Sequence, residues 1–199
     1  MPGGKYDERG GFAPRHRARL LWGGKAYFDL LVHLIEGARE CIHLQVYIYE
    51  SDTTGELIAD ALIAAAERGV AVYVLVDGYG SQKLPAPFVM RLRENGVRLR
   101  VFEPLLRSRH FYFGRRMHRK VLVVDARYAV VTGVNIGDKY NDRPGEPAWL
   151  DMAVCVEGEV ASGLCRACWA TWKNFQLMRR LPASCRPAAT AIDFGQTQG

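Results

Sequence analysis

Two spacings of apolar residues divide this chain. Between residues 25 and 39, Tyr27, Leu30, Leu31, Leu34, Ile35 and Ala38 recur every three or four positions, which predicts an amphipathic helix. From 41 to 49 the spacing drops to two. Ile42, Leu44, Val46 and Ile48 fall on one face of a strand, and Gln45, Tyr47 and Tyr49 on the other. That second set either lines a cleft or packs under a helix, and the pattern leaves both open. A helix over 57–68 follows, closed by Gly69, then a β-branched strand over 70–76 that runs into Asp77-Gly78-Tyr79-Gly80-Ser81. A helix over 88–94, closed by Asn95-Gly96, leads to a strand over 97–102. The apolar runs 121–124 and 128–131 read as short buried strands. A strand over 149–156 and a helix over 160–177 follow, with Trp169, Trp172 and Phe175 facing a core. Strand, helix, strand with short connections predicts an α/β fold whose sheet is largely parallel and covered by helices.

Composition narrows this picture. The 199 residues are 49% hydrophobic, enough for the core of one domain or of one half of a pseudo-symmetric pair. The net charge of +6 favours anionic partners, either nucleic acid or a lipid head-group surface. Residues 1–19 are basic, without the apolar run of a secretory signal, and are expected to form a flexible N-terminal segment. The domain is expected over 20–178, with 179–199 as a linker or tail. No apolar run approaches the roughly 18 residues of a spanning helix, so work on a membrane would proceed from its surface. Cys165 and Cys168 form a C-x-x-C without a matching second pair; they read as ordinary helix cysteines in a reducing cytosol.

The chemistry concentrates before and after the run 121–124. Alternation puts His118 and Lys120 on the same side, about 7 Å apart along the strand. An imidazole beside a fixed ammonium suits an anionic substrate, because the cation neutralises what the imidazole attacks. The run 128–131 ends at Thr132-Gly133, where the backbone turns and returns Asn135 beside the first strand. In the preceding stretch Arg107, Arg109, His110, Arg115 and Arg116 alternate with Leu105, Leu106, Phe111, Tyr112 and Phe113, a pattern suited to a phosphate-rich polymer or a head-group interface. Asp77 ends its strand on the side where open α/β sheets carry their sites, yet it equally suits a turn.

The spacing His118-x-Lys120, Asp125 and then Gly133 and Asn135 resembles the HKD signature of the phospholipase D superfamily. Thr132 stands where that family usually has Gly, which alters the turn and leaves the charged groups in place. Tyr47-Ile48-Tyr49, Arg68-Gly69-Val70, Asp77 to Ser81, Asn95-Gly96-Val97, and Trp149-x-Asp151 before Glu157-Gly158 extend the likeness over 20–178, to the amino-terminal half of bacterial cardiolipin synthases. Gln45 and Ala153 depart from it, where Glu and His are common.

The resemblance implies a phospholipase D-like mixed, largely parallel sheet flanked by helices, one half of a two-motif arrangement. It implies that His118 attacks a phosphodiester and forms a phosphohistidine, with Lys120 and Asn135 holding the non-bridging oxygens. Asp151 is expected to orient His118, with Glu146 as the spare candidate. Asp125 belongs to the motif, although alternation turns it away from His118. Gly133, Arg116, Tyr47 and Asp77 are expected on the substrate side, and no metal or cofactor is expected. A second histidine must protonate the leaving alcohol, so the chain is expected either to pair as a homodimer or to lack a second HKD half. The partner expected is anionic phospholipid, met from the cytoplasm at the inner membrane surface. A homodimeric endonuclease acting on nucleic acid, or an inactive anion-binding half-domain, stands as the alternative.

Overall fold

A computed structural model of the protein describes residues 17–104 and 116–173. The expectations for residues 1–16, for Leu105 to Arg115, for Phe175, for Cys185 and for the tail over 179–199 lie outside the described residues.

In chain order the elements are β1 (Arg17–Trp22), α1 (Lys25–Glu36), β2 (Cys41–Val46), α2 (Thr53–Glu67), β3 (Ala71–Asp77), α3 (Ala86–Glu94), β4 (Arg98–Phe102), β5 (Val121–Val124), β6 (Tyr128–Thr132), β7 (Met152–Glu157) and α4 (Glu159–Lys173). A single 3-10 turn, Asp138–Tyr140, interrupts the connection from β6 to β7. The strands form one seven-stranded sheet in the order β1-β7-β6-β5-β2-β3-β4. It is mixed, as expected, but its parallel part is smaller than expected: β2, β3 and β4 run parallel, while β5, β6, β7 and β1 pair antiparallel. The connection from β5 to β6 is three residues long, far too short for a crossover, so these strands must reverse.

β1 was not expected. Arg17-Ala18-Arg19-Leu20-Leu21-Trp22 lacks clean alternation, and its partner β7 lies some 130 residues on, with Trp22 opposite Met152. Only Leu21 is buried, as suits an edge strand. α2 starts four residues before the predicted 57, because Asp52 caps it by accepting a hydrogen bond from Gly55 N at 3.0 Å.

Helices α1, α2 and α3 pack on one face of the sheet, where Phe28, Leu31, Ile35, Ile58, Leu62 and Leu92 meet Ile42, Leu44 and Val74. α4 covers part of the other face. Cys165 and Cys168 sit over Cys41, Val121 and Val123, and Trp169 and Trp172 pack with Tyr73, Leu75, Phe102 and Met117. The two tryptophans are therefore core residues, as their spacing predicted. All six residues of β2 are buried, since both its faces are covered. α4 stops short of the antiparallel edge. There Leu20, Val154 and Val131 lie in one row across β1, β7 and β6, next to the pair Trp22 and Met152, and all five are exposed. Among the described residues no helix is long and apolar enough to cross a membrane.

Candidate active site

The carboxyl ends of β2, β3 and β6 meet the amino end of β5 on one edge of the sheet. The chain enters β5 through Met117, whose buried side chain packs beneath the α4 tryptophans. Met117 N donates a 2.8 Å hydrogen bond to Asp77 Oδ2. Asp77 Oδ1 accepts from Tyr79 N and Gly80 N at 2.8 and 3.0 Å, and the residue is wholly buried. Asp77 is thus a turn residue that fixes the approach to His118, and the structure does not bring it to the substrate side.

With Met117 pinned, His118 is exposed. Its ring stacks on Tyr47, centroids 4.3 Å apart and planes 22° from parallel. Lys120 Nζ lies 5.4 Å from the centre of the same Tyr47 ring and donates to His118 O at 3.3 Å. Burial holds the Lys120 ammonium below the usual lysine range, against the Asp151 charge, which pulls the other way. The face of β2 left open by its pattern is therefore divided. Tyr47 serves the cleft, whereas Tyr49 packs on Phe88 and donates to Gly55 O at 2.9 Å, and Gln45 is buried with Nε2 donating to Cys168 O.

Asn135 is buried, and its amide is oriented from both ends. Oδ1 accepts from Ile48 N at 3.0 Å, and Nδ2 donates to Tyr140 Oη at 3.1 Å. One Nδ2 hydrogen is left beyond these bonds. Asn135 is thereby fastened to the residue after Tyr47, which links it to the surface carrying His118 and Lys120. The turn between β6 and Asn135 is drawn by Thr132, whose Oγ1 accepts from Val134 N at 2.9 Å and donates to Met152 O at 3.0 Å. At Gly133 a Cβ would fall on the Asp151 carboxylate, so a side chain there requires Asp151 to move aside.

Asp151 accepts from Met152 N at 2.7 Å and acts electrostatically on Lys120. Among the described residues no hydrogen bond joins it to His118, so the geometry sets it beside Lys120 and Gly133. Glu146 is paired with Arg143 on the surface. Arg116 donates to Glu103 O at 3.2 Å, with its guanidinium 5.5 Å from the Tyr79 ring centre. Its charge is held against the 77–81 turn.

Asp125 lies at the opposite end of β5. Its Oδ2 accepts from Arg39 N at 2.9 Å, and Oδ1 accepts from Glu40 N and Cys41 N at 2.8 and 2.9 Å. Four strand residues separate it from His118 and Lys120, and its oxygens hold the start of β2.

Two supporting residues escaped the sequence reading. Ser81 Oγ donates to Tyr47 O and accepts from Tyr49 N, each at 3.0 Å, and so sets the path of residues 47–49. Tyr140, in the 3-10 turn between β6 and β7, is buried against Asn135. The partners of Ser81 are more than 30 residues away, whereas Tyr140 lies five residues from Asn135 and meets it through the 3-10 turn, which no apolar pattern marks.

Residues 31–157 match the family described as cardiolipin synthase, PLD-like domain. Cardiolipin synthase A of Pseudomonas putida is 35% identical over 173 residues, covering 84% of this chain and 35% of its own length. Cardiolipin synthase B of Escherichia coli is 38% identical over 152 residues, 75% of this chain and 37% of its own. The chain thus spans about a third of the length of these relatives. Among solved structures, NucT from Helicobacter pylori superposes with a TM-score of 0.62 at 15% identity, over 80% of this chain and 97% of that one. Phosphatidylserine synthase from Haemophilus influenzae gives 0.62 at 18% identity, over 75% of this chain and 35% of that one. At these identities the superpositions establish a shared fold.

Proposed function

We propose, on the footing that this chain belongs to the phospholipase D-like domain family of the cardiolipin synthases, that it transfers a phosphatidyl group between alcohols through a phosphohistidine on His118. One observation carries the reading. An exposed imidazole lies flat on Tyr47 with the Lys120 ammonium beside the same ring, so nucleophile and cation share one opening.

A neutral ring nitrogen of His118 attacks phosphorus and forms the P–N bond as the bond to the leaving alcohol breaks. Lys120, with the remaining Nδ2 hydrogen of Asn135, receives the non-bridging oxygens as their charge rises. The leaving alkoxide takes a proton from a second histidine, which later removes one from the acceptor alcohol as that oxygen displaces His118. Asp151 offsets the Lys120 charge and shapes the Gly133 turn. The second histidine comes from a second copy or from a second half. The exposed apolar row of Leu20, Val154 and Val131 beside the site supports such a docking face. The net charge of +6 supports attraction to anionic phospholipid, met on the cytoplasmic side of the inner membrane.

A homodimeric endonuclease is the second reading. It is favoured by the same charge. Incubation with phosphatidylglycerol vesicles, and separately with supercoiled plasmid, decides between them. Cardiolipin formed with release of glycerol, falling on dilution of the protein, is expected. Relaxed plasmid without lipid product would replace this reading with the second, and turnover of neither would retire both.

A further inference from the structure

Behind the sheet, away from His118, three donor side chains converge. Cys41 and His43 are alternate residues of β2 and point to the same face, toward α4. Cys165 descends on them from α4. Their ligand atoms all lie within 4.8 Å of one another, and all three residues are at most 1% exposed. The surroundings are apolar: Val121, Val123, Ala126, Ala129 and Ala161 bound the thiols, and the His43 ring stacks on Tyr73 at 4.9 Å, edge-on to Trp169 at 5.9 Å.

We propose that Cys41, His43 and Cys165 hold a structural zinc ion that fastens α4 to β2. The donor set is the first argument. Two thiolates and an imidazole select a soft or borderline ion over magnesium or calcium, whose ligands are oxygen. Charge is the second. Two thiolates balance a divalent ion, so the site buries no net charge in its apolar surroundings. Binding releases the two thiol protons to solvent and leaves His43 as a neutral ligand. Size is the third. Around a tetrahedral zinc the donors lie about 3.5–3.8 Å apart, so the observed spread closes by about 1 Å. Cys168, three residues on along the same buried face of α4, lies outside this trio of donors. The Cys165-x-x-Cys168 pair looked incomplete in the sequence because its companions lie more than 120 residues earlier.

The test uses the untagged wild-type chain, reduced and purified without chelator. Elemental analysis is expected to find about one zinc per chain. Replacement by cobalt is expected to give a thiolate-to-metal charge-transfer band in the near ultraviolet. Cys165→Ser is expected to lose the band, and Cys155→Ser, whose thiol lies on β7 toward the other face, to keep it. A folded wild-type chain with less than about 0.1 zinc and no cobalt band would overturn the proposal, as would a Cys41–Cys165 disulfide in the protein as isolated. The wild-type measurements decide even where a buried substitution prevents folding.

Discussion

At its amino end β5 is preceded by an exposed imidazole and a half-buried ammonium sharing one tyrosine ring, while at its carboxyl end Asp125 divides its two oxygens among three backbone N–H groups. Both ends belong to one nine-residue stretch. One end offers unsatisfied bonding capacity to a visitor; the other uses its capacity to fix the frame. A signature can therefore contain residues that touch a substrate and residues that only hold those residues in place. Hydrogen-bond partners tell them apart, since spacing treats them alike.

Substitutions at the two ends test this contrast. His118→Ala is expected to lower turnover by at least about 10⁴-fold in whichever phosphodiester assay reports it, because the nucleophile is gone. Its far-ultraviolet spectrum and thermal midpoint should match the parent. A residual rate within tenfold of the parent would move the nucleophile elsewhere. Lys120→Ala is expected to cost about 100-fold, mostly in kcat, by analogy with the loss of one oxyanion donor. An effect confined to KM would make Lys120 a general attractor of anions.

Asp125→Ala should reverse the pattern. Three backbone donors lose their acceptor, one of them partly buried, so a loss of about 1.5–3 kcal/mol of stability is expected. Denaturant titration measures that, while kcat per folded molecule should change less than about threefold. A large drop in kcat at full folding would erase the distinction between the ends. The smallest effect is expected at Asp142, which holds backbone at the site edge of the sheet. Its carboxyl lies below the ordinary range because Ala148 N–H and Lys25 N–H both donate to it. Its contribution is present above the unfolded carboxylate pKa and is lost as pH falls through the lower, folded one. Asp142→Asn should lower the melting midpoint slightly at neutral pH and flatten its fall on acidification, so that variant and parent converge in acid.

The apolar runs gave most elements, because Val121–Val124 or Ala71–Asp77 can hardly be anything but buried strand. The spacing of His118, Lys120 and Asn135 was enough to bring them to one end of the sheet, because strand alternation and one glycine turn are local geometry. Strand direction was not reached. The direction of β5 against β2 is set by pairing between residues about 80 apart, which local periodicity does not encode. The bonds of Asp77 to Met117 and of Ser81 to residues 47–49 were not reached for a related reason: sequence distance conceals them. The buried trio of Cys41, His43 and Cys165 was invisible for the same reason, since its members meet only when α4 lies down on β2.

The pairing of β1 with β7 also bears on how the chain is made. β5 and β6 adjoin in sequence, so their hairpin closes almost as soon as it emerges from the ribosome. β1 emerges early, yet the strand it joins is synthesised about 130 residues later. At ordinary elongation speeds that is a delay of roughly 6–26 seconds. Throughout that interval Leu20, Leu21 and Trp22 have no sheet to join and stand as a sticky apolar segment of a growing chain. A release of the chain before residue 152 would leave that segment without its partner strand, and such products should be the ones that chaperones and proteases collect.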